Sequence, residues 1–268
     1  MLVDYHIHTK LCGHASGEME EYVEKALSEG LDEMGFNDHL PMYFLPEEQR
    51  DSTIAMGEAQ LPGYLEKVKA LATIYPKIKI RTGIEADYIP GLESTLGNIL
   101  KGYSFDYVYG SIHFLDGWGF DDSRYLDGYK NRNLKELYGH YFKTLQKAAY
   151  SGLFDILGHP DLIKKFGFRP SESVDQLLEE TVKVIGESGV AVEVNTAGWR
   201  VEAQEQYPST RFLEYCHHYK VPVTLGSDAH KPEQVAFEFS KAVSILKDIG
   251  FKKIAVFKER KGSLVDLG

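Results

Sequence analysis

The chain has 268 residues, 43% of them hydrophobic, with ten histidines, two cysteines and a formal net charge of −10. That charge argues against a nucleic-acid partner, which calls for a basic surface, and two cysteines (Cys12 and Cys216) do not make a disulfide scaffold. No apolar run approaches the length of a membrane span and no apolar leader follows the first Met, so the expectation is a cytoplasmic protein with no membrane partner.

Apolar β-rich runs alternate with runs of helical period from end to end. Strands are predicted at residues 2–7, 32–38, 78–87, 105–114, 154–159, 190–196 and 221–230. Helices are predicted between and after them at 18–30, 64–75, 92–103, 133–152, 173–189, 209–220 and about 232–249. A final run, "KKIAVF" (252–257), is a candidate eighth strand at an edge or in the tail. No linker-like stretch divides the chain, so a single domain over residues 1–268 is expected. Regular βα alternation implies parallel strands with helical crossovers, in a closed barrel or an open doubly wound sheet. No GxGxxG follows the first strand, which removes support for the dinucleotide-binding version. The barrel is the preferred reading.

In a βα barrel the functional residues gather at the carboxyl ends of the strands. Every predicted strand ends in candidate ligands: His6 and His8, Asp38 and His39, Glu85 and Asp87, His113, His159 and Asp161, Glu193 and Asn195, Asp228 and His230. Residues two apart on a strand share a face, so His6 with His8 and Asp228 with His230 can each point a pair inward. His14 lies six residues beyond His8, on a loop able to fold back over the same mouth. Seven of the ten histidines (6, 8, 14, 39, 113, 159 and 230) therefore converge, and Glu85 and Asp228 bring the donors to nine. One tetrahedral zinc takes about four ligands, so the count points to two or three ions of Zn, Mn or Fe. A lone HxH, or a lone buried histidine, is ordinarily a packing feature; the joint pattern carries the inference. His140, His217 and His218 sit on predicted helices and read as surface or packing residues, and Cys12 as a packed small residue.

These segments, "HIH" (6–8), His14 in "GHAS", "DH" (38–39), "GIEADY" around Glu85, "GSIHF" around His113, "GHPD" around His159 and "GSDAH" (228–230), resemble the ordered motifs of the PHP (polymerase and histidinol phosphatase) family. "GIEADYIPG" and "DYVYGSIHFLDGWGFDD" are similar to its histidinol-phosphatase branch. The resemblance implies a distorted (β/α)7 barrel and three divalent transition-metal ions. One ion would take His6, His8, Glu85 and Asp228; a second Glu85, His113 and His159; the third His14, His39 and His230. It further implies hydrolysis of a small-molecule phosphate monoester, L-histidinol phosphate. The alternative is another phosphoesterase of the family, acting on a sugar phosphate, a nucleotide or a nucleic-acid end.

Three divalent ions less the charges of Glu85 and Asp228 leave a pocket of about +4, which suits a phosphate dianion. Water activated between the ions is then the expected nucleophile, in line with the departing alkoxide. No Ser or Cys motif suggests a protein nucleophile. Asp161 is the candidate general acid, or else an orienting partner for His159. Arg169 in "KKFGFRPS" and Arg200 in "NTAGWR" are candidate phosphate clamps, since a guanidinium fork matches phosphate oxygens. Glu193 and Asn195 are candidates to receive the substrate's amine or imidazole. A monomer or a homodimer is expected.

Overall fold

The computed structural model describes residues 1–130 and 132–268. The strands are β1 (Val3–Ile7), β2 (Glu33–Phe36), β3 (Lys79–Asp87), β4 (Tyr107–Ser111), a short antiparallel pair β5 (Phe114–Leu115) and β6 (Trp118–Gly119), then β7 (Ile156–Leu157), β8 (Ala191–Asn195), β9 (Val223–Gly226), β10 (Lys253–Lys258) and β11 (Lys261–Asp266). Seven of them form one parallel sheet in the order β1-β2-β3-β4-β7-β8-β9. A parallel bridge between Ile7 and Ala229, with His8 N–H donating to Ala229 O at 2.9 Å, brings the two edges together and closes the sheet into a distorted (β/α)7 barrel.

The crossover helices are α1 (Met19–Ser28), α2 (Leu61–Ile74), α3 (Glu93–Lys101), α4 (Leu134–Tyr150), α5 (Asp175–Ser188), α6 (Thr210–His218) and α7 (Phe239–Ile249). Each helix buries a stripe of apolar residues against the barrel. On α4, Leu137, Tyr138, Tyr141, Phe142, Leu145, Ala148 and Ala149 recur at three- and four-residue intervals and are all buried, the pattern of a helix lying on a sheet. Its start is fixed by Asn133, whose side chain accepts from the backbone N–H groups of Lys135 and Glu136. Among the described residues, no helix is long and apolar enough to cross a membrane.

The candidate eighth strand does not join the barrel. Residues 253–258 pair antiparallel with 261–266 in a separate hairpin. The register of β1 on β2 through β9 already closes the ring, so the extra strand has no edge to extend. The hairpin instead covers one end of the barrel: Phe257 packs 6.3 Å from the Tyr5 ring and donates its N–H to the Tyr5 hydroxyl. That hydroxyl in turn donates to Glu33, which Arg81 holds through two bonds of 2.7 and 3.1 Å.

Inside the barrel the fill is aromatic. Tyr107 of β4 reaches across β3 and β2 to donate its hydroxyl to Tyr5 O on β1 at 2.9 Å. Gly35 on β2 and Gly83 on β3 make that span possible, because a Cβ at either position would overlap the Tyr107 side chain. Filling space that a ring already occupies costs roughly 1–3 kcal/mol in a close-packed core. Gly83→Ala is accordingly expected to lower the unfolding free energy from urea titration by about that amount, seen as a lower midpoint. An unchanged midpoint would mean that the Tyr107 ring has room to move.

Candidate metal centre

β1 carries His6 and releases His8 immediately past its end, while Glu85 stands within β3, two residues before its end. The remaining donors lie on the first residues of the loops: His39 after β2, His113 after β4, His159 after β7, Asp228 and His230 after β9. Ladder-like hydrogen bonds continue beyond the strands and steady these loops: Glu85 N–H donates to Asp38 O and Leu40 N–H to Glu85 O, at 3.0 and 2.7 Å. His159 and Asp228 hold left-handed backbone angles (φ of +28° and +54°), a costly conformation for non-glycine residues that recurs at functional sites. His14 follows a helical turn over Lys10–Cys12 that ends on Gly13, and this turn folds the imidazole back over the mouth.

Glu85 is the hub. Its Oε2 lies 3.3 Å from His6 Nε2, 3.6 Å from His8 Nε2 and 3.1 Å from His39 Nδ1. Its Oε1 lies 3.0 Å from His159 Nε2 and 3.6 Å from His113 Nε2, and accepts from the Ser111 hydroxyl at 2.6 Å. Asp228 Oδ1 approaches His8 Nε2 at 3.2 Å and His6 Nε2 at 3.7 Å. Further out, the Nε2 atoms of His14 and His230 face each other at 2.9 Å, and His39 groups with His8 and His230.

Several of these atoms are buried with no hydrogen-bond partner: His6 Nε2, His8 Nε2 and Glu85 Oε2. Buried polar atoms are nearly always satisfied. The Nε2 atoms of His14 and His230, 2.9 Å apart, share a proton in a hydrogen bond or turn to a common ion. Most of the other ring nitrogens, by contrast, have a partner, the exceptions being the buried Nδ1 atoms of His8 and His159. His6 Nδ1 lies 2.7 Å from Glu193, His113 Nδ1 2.8 Å from Asp87 and His8 Nδ1 3.5 Å from Asp38. His14 Nδ1 faces Cys12 O and Thr53 O at 2.9 and 3.0 Å, and His230 Nδ1 faces Asp228 O at 3.0 Å. An imidazole anchored to a carboxylate or carbonyl on one nitrogen and open on the other is the arrangement that metal-binding histidines adopt. The nitrogen and carboxylate donor set fits divalent transition ions.

The electrostatics divide the donors into two groups. Burial alone would push the Glu85 carboxyl up, but His6, His39 and His113 overcome it and hold Glu85 well below the usual carboxylate range. Asp228 is lowered in the same way, against burial, by His6 and His8. His39 and His230 are driven well below the ordinary imidazole value by burial, and His8 pushes both further. That favours their neutral form, the one that ligates metal. Against burial, Glu193, Glu85 and Asp228 instead hold His6 well above the ordinary imidazole value, Asp228 and Asp38 do the same for His8, and Asp87 lifts His113 to about 9, so protonated and neutral imidazoles alternate around the two carboxylates.

Beside the cluster opens a cleft of about 850 Å³, reached past His14, His39 and His113. Its walls come from the loop between β2 and α2 (Met42, Asp51, Thr53) and from the segment around β5 and β6 (Phe114, Trp118, Asp121, Arg124).

A model of the PHP domain matches residues 4–197. The chain belongs to the PHP domain family. A Deinococcus radiodurans protein named probable histidinol-phosphatase is 39% identical over 261 residues, covering 97% of this chain and 98% of its own. The histidinol-phosphatase of Bacillus subtilis is 30% identical over 263 residues, covering 88% of this chain and 96% of its own. The fold matches that of histidinol phosphate phosphatase from Lactococcus lactis, solved with zinc, L-histidinol and phosphate, at a TM-score of 0.84, 22% identity and 98% coverage of both chains.

All nine sequence-derived donors of this PHP chain, His6, His8, His14, His39, Glu85, His113, His159, Asp228 and His230, lie around the one mouth. The substrate-facing residues need correction. Glu193 and Asn195, expected to meet the substrate's amine, are fully buried. Glu193 is spent on His6 Nδ1 and the His159 N–H, and Asn195 on Glu193, Asp228 and the Ala197 N–H. Asp161, expected as general acid or as partner of His159, accepts instead from Lys164 and the Ser209 N–H, both at 2.8 Å, while His159 Nδ1 stays unpartnered. Its carboxylate belongs to a buried ion pair away from the cleft. Asp38 and Asp87, strand-end candidates by sequence, face ring nitrogens rather than the donor cluster: Asp87 lies 2.8 Å from His113 Nδ1 and Asp38 3.5 Å from His8 Nδ1.

Protein purified without chelator is expected to carry more than one equivalent of transition metal per chain by elemental analysis. An active, folded preparation free of metal would contradict the donor geometry outright.

Proposed function

We propose that this protein hydrolyses L-histidinol phosphate to L-histidinol and phosphate, a step of histidine biosynthesis, as a cytoplasmic phosphomonoesterase built on one domain over residues 1–268. What supports the reading is that nine donors meet beside a cleft in a chain 39% identical, over 97% of its length, to a protein named probable histidinol-phosphatase. Three divalent ions (Zn, Mn or Fe) complete the site. His6, His8, Glu85 and Asp228 would hold one; Glu85, His113 and His159 would hold a second; His14, His39 and His230 would hold the third. Bound there, such ions supply Lewis acidity toward phosphoryl oxygens and water of lowered pKa.

The chain's own residues do the rest. Glu85 turns its two oxygens to different histidine groups, which suits a bridge between two positions. Arg200 donates from Nη2 to Ser227 O and Asp228 O at 3.0 and 2.9 Å, and its Nη1 is buried without a partner. An unpaired guanidinium N–H at the edge of the donor cluster is a natural donor to a phosphate oxygen. Arg169 is exposed and tied to Glu205 at 2.7 Å and Ala203 O at 2.9 Å, so it reaches phosphate by exchanging Glu205 for the ligand. The cleft sets four carboxylates (Asp51, Asp87, Asp121 and Asp122) against Arg124 and Lys165. That excess of negative charge, with the aromatic wall of Phe114 and Trp118, suits a cationic alcohol bearing an imidazole. The net charge of −10 goes with a small-molecule substrate rather than a nucleic acid.

Steady-state kinetics across phosphate monoesters, with diesters and nucleotides alongside, test the proposal. The highest kcat/KM is expected for L-histidinol phosphate; a preference for a diester or a nucleotide would assign the chain to another activity of the family. Arg200→Lys and Arg169→Lys are each expected to lower kcat/KM for that substrate by roughly 10–10³-fold, with metal content retained. Full efficiency in both would remove the arginine clamp. Glu85→Gln keeps the shape but loses the charge, and turnover is expected to fall at least ~10²-fold, the scale of a lost electrostatic element. Near-normal turnover would make the carboxylate structural.

A further inference from the structure

Of the nine donors, His14 alone is exposed, and it alone stands on a turn rather than at a strand end. Something other than the barrel must fix its ring. Its Nδ1 faces Thr53 O at 3.0 Å as well as Cys12 O, and Thr53 belongs to the loop between β2 and α2. The two segments are in tight contact: Gly13 takes φ +82°, and a Cβ there would overlap Ser52 O.

The direction of the Thr53 carbonyl is itself determined. Ile54 N–H donates back to Asp51 O at 3.1 Å, closing a turn over residues 51–54. In a trans peptide the C=O and N–H point opposite ways, so this bond aims Thr53 O outward, toward His14. The Asp51 side chain secures the turn, with Oδ1 accepting from Thr53 N–H at 2.9 Å and from the Thr53 hydroxyl at 2.5 Å. Its Oδ2 accepts from Arg124 at 3.0 Å, which ties the turn to the opposite wall of the cleft.

We infer that Asp51 is a positioning residue for the metal position framed by His14 and His230: it holds the 51–54 turn so that Thr53 O receives the Nδ1–H of His14 and leaves Nε2 free to bind. The inference rests on the metal reading above and extends it to a residue that touches no donor. It also makes one loop serve two ends, since the turn that orients His14 is part of the cleft wall.

The test is Mn²⁺ and Zn²⁺ binding by the full chain, as stoichiometry and as affinity against a competing chelator, with melting temperature recorded to establish folding. His14→Ala identifies the ion concerned, which it is expected to release. Asp51→Ala is expected to weaken that same ion by 10–100-fold, the usual cost of losing a ligand's supporting partner, and to spare the others. Asp51→Asn keeps an oxygen acceptor for Thr53 while giving up the Arg124 contact, and is expected to restore most of the affinity lost in Asp51→Ala, which assigns the effect to the Thr53 bonds; affinity as low as that of Asp51→Ala would overturn that assignment. The double variant His14→Ala/Asp51→Ala is expected to bind as His14→Ala does. Wild-type affinity in Asp51→Ala, or uniform weakening of every ion, overturns the inference. If His14→Ala itself releases no ion, the metal reading at His14 falls first.

Discussion

The structure depends on one buried carboxylate. Glu85 sits on β3 with almost no solvent contact and faces five imidazoles, three on one oxygen and two on the other. A carboxylate there cannot be left unpaired without a large desolvation cost, and imidazoles packed this closely cannot all take up protons, because each charge raises the cost of the next. The conflict shows in His39 and His230, which burial and their histidine neighbours drive toward the neutral form. Their neighbours His6, His8 and His113 are raised instead and hold positive charge against burial; a mouth that keeps buried positive charge beside Glu85 and Asp228 suits divalent ions that would take that charge's place.

Holding that arrangement takes an outer set of residues drawn from neighbouring strands. Glu193 on β8 supports His6 on β1, Asp87 on β3 supports His113 after β4, and Asp38 after β2 supports His8 after β1. These pairs bridge β-strands that a parallel sheet sets side by side, or that closure of the barrel brings across from one another. The Ile7–Ala229 bridge therefore does more than complete the sheet: it brings Asp228 and His230 into register with His6 and His8. The aromatic fill around Tyr107, below, keeps that ring from collapsing.

Much of this was legible in the sequence because it is local. Apolar β-rich runs between helical runs mark all seven barrel strands, and a candidate ligand at each strand's end marks the mouth. What was not legible is where the second atom of each side chain goes. Glu193 and Asn195 alternate correctly with the core, yet spacing along β8 does not reveal that His6, 187 residues away, takes the carboxylate. Asp161 stands two residues from His159, but Lys164, one helical turn on, is the nearer cation. The last hairpin was half seen: Lys253–Lys258 reads as a strand, whereas Lys261–Asp266 is mostly exposed and has no apolar alternation to announce it.

The same division separates the chemistry from the choice of substrate. Donors at strand ends are placed by the barrel, and a phosphate group is recognised by charge whatever alcohol it carries. On the proposed function, selection among alcohols would fall to the cleft, whose walls are the loop after β2 and the segment around β5 and β6, the stretches least governed by strand or helix periodicity. Loops of this kind change readily while the scaffold stays. In this chain, however, the loop after β2 also presents Thr53 O to His14, so its shape is not free to drift with the substrate. A sequence change that widened the cleft on that side would loosen a donor at the same time, which links what the pocket admits to how the metal centre is held.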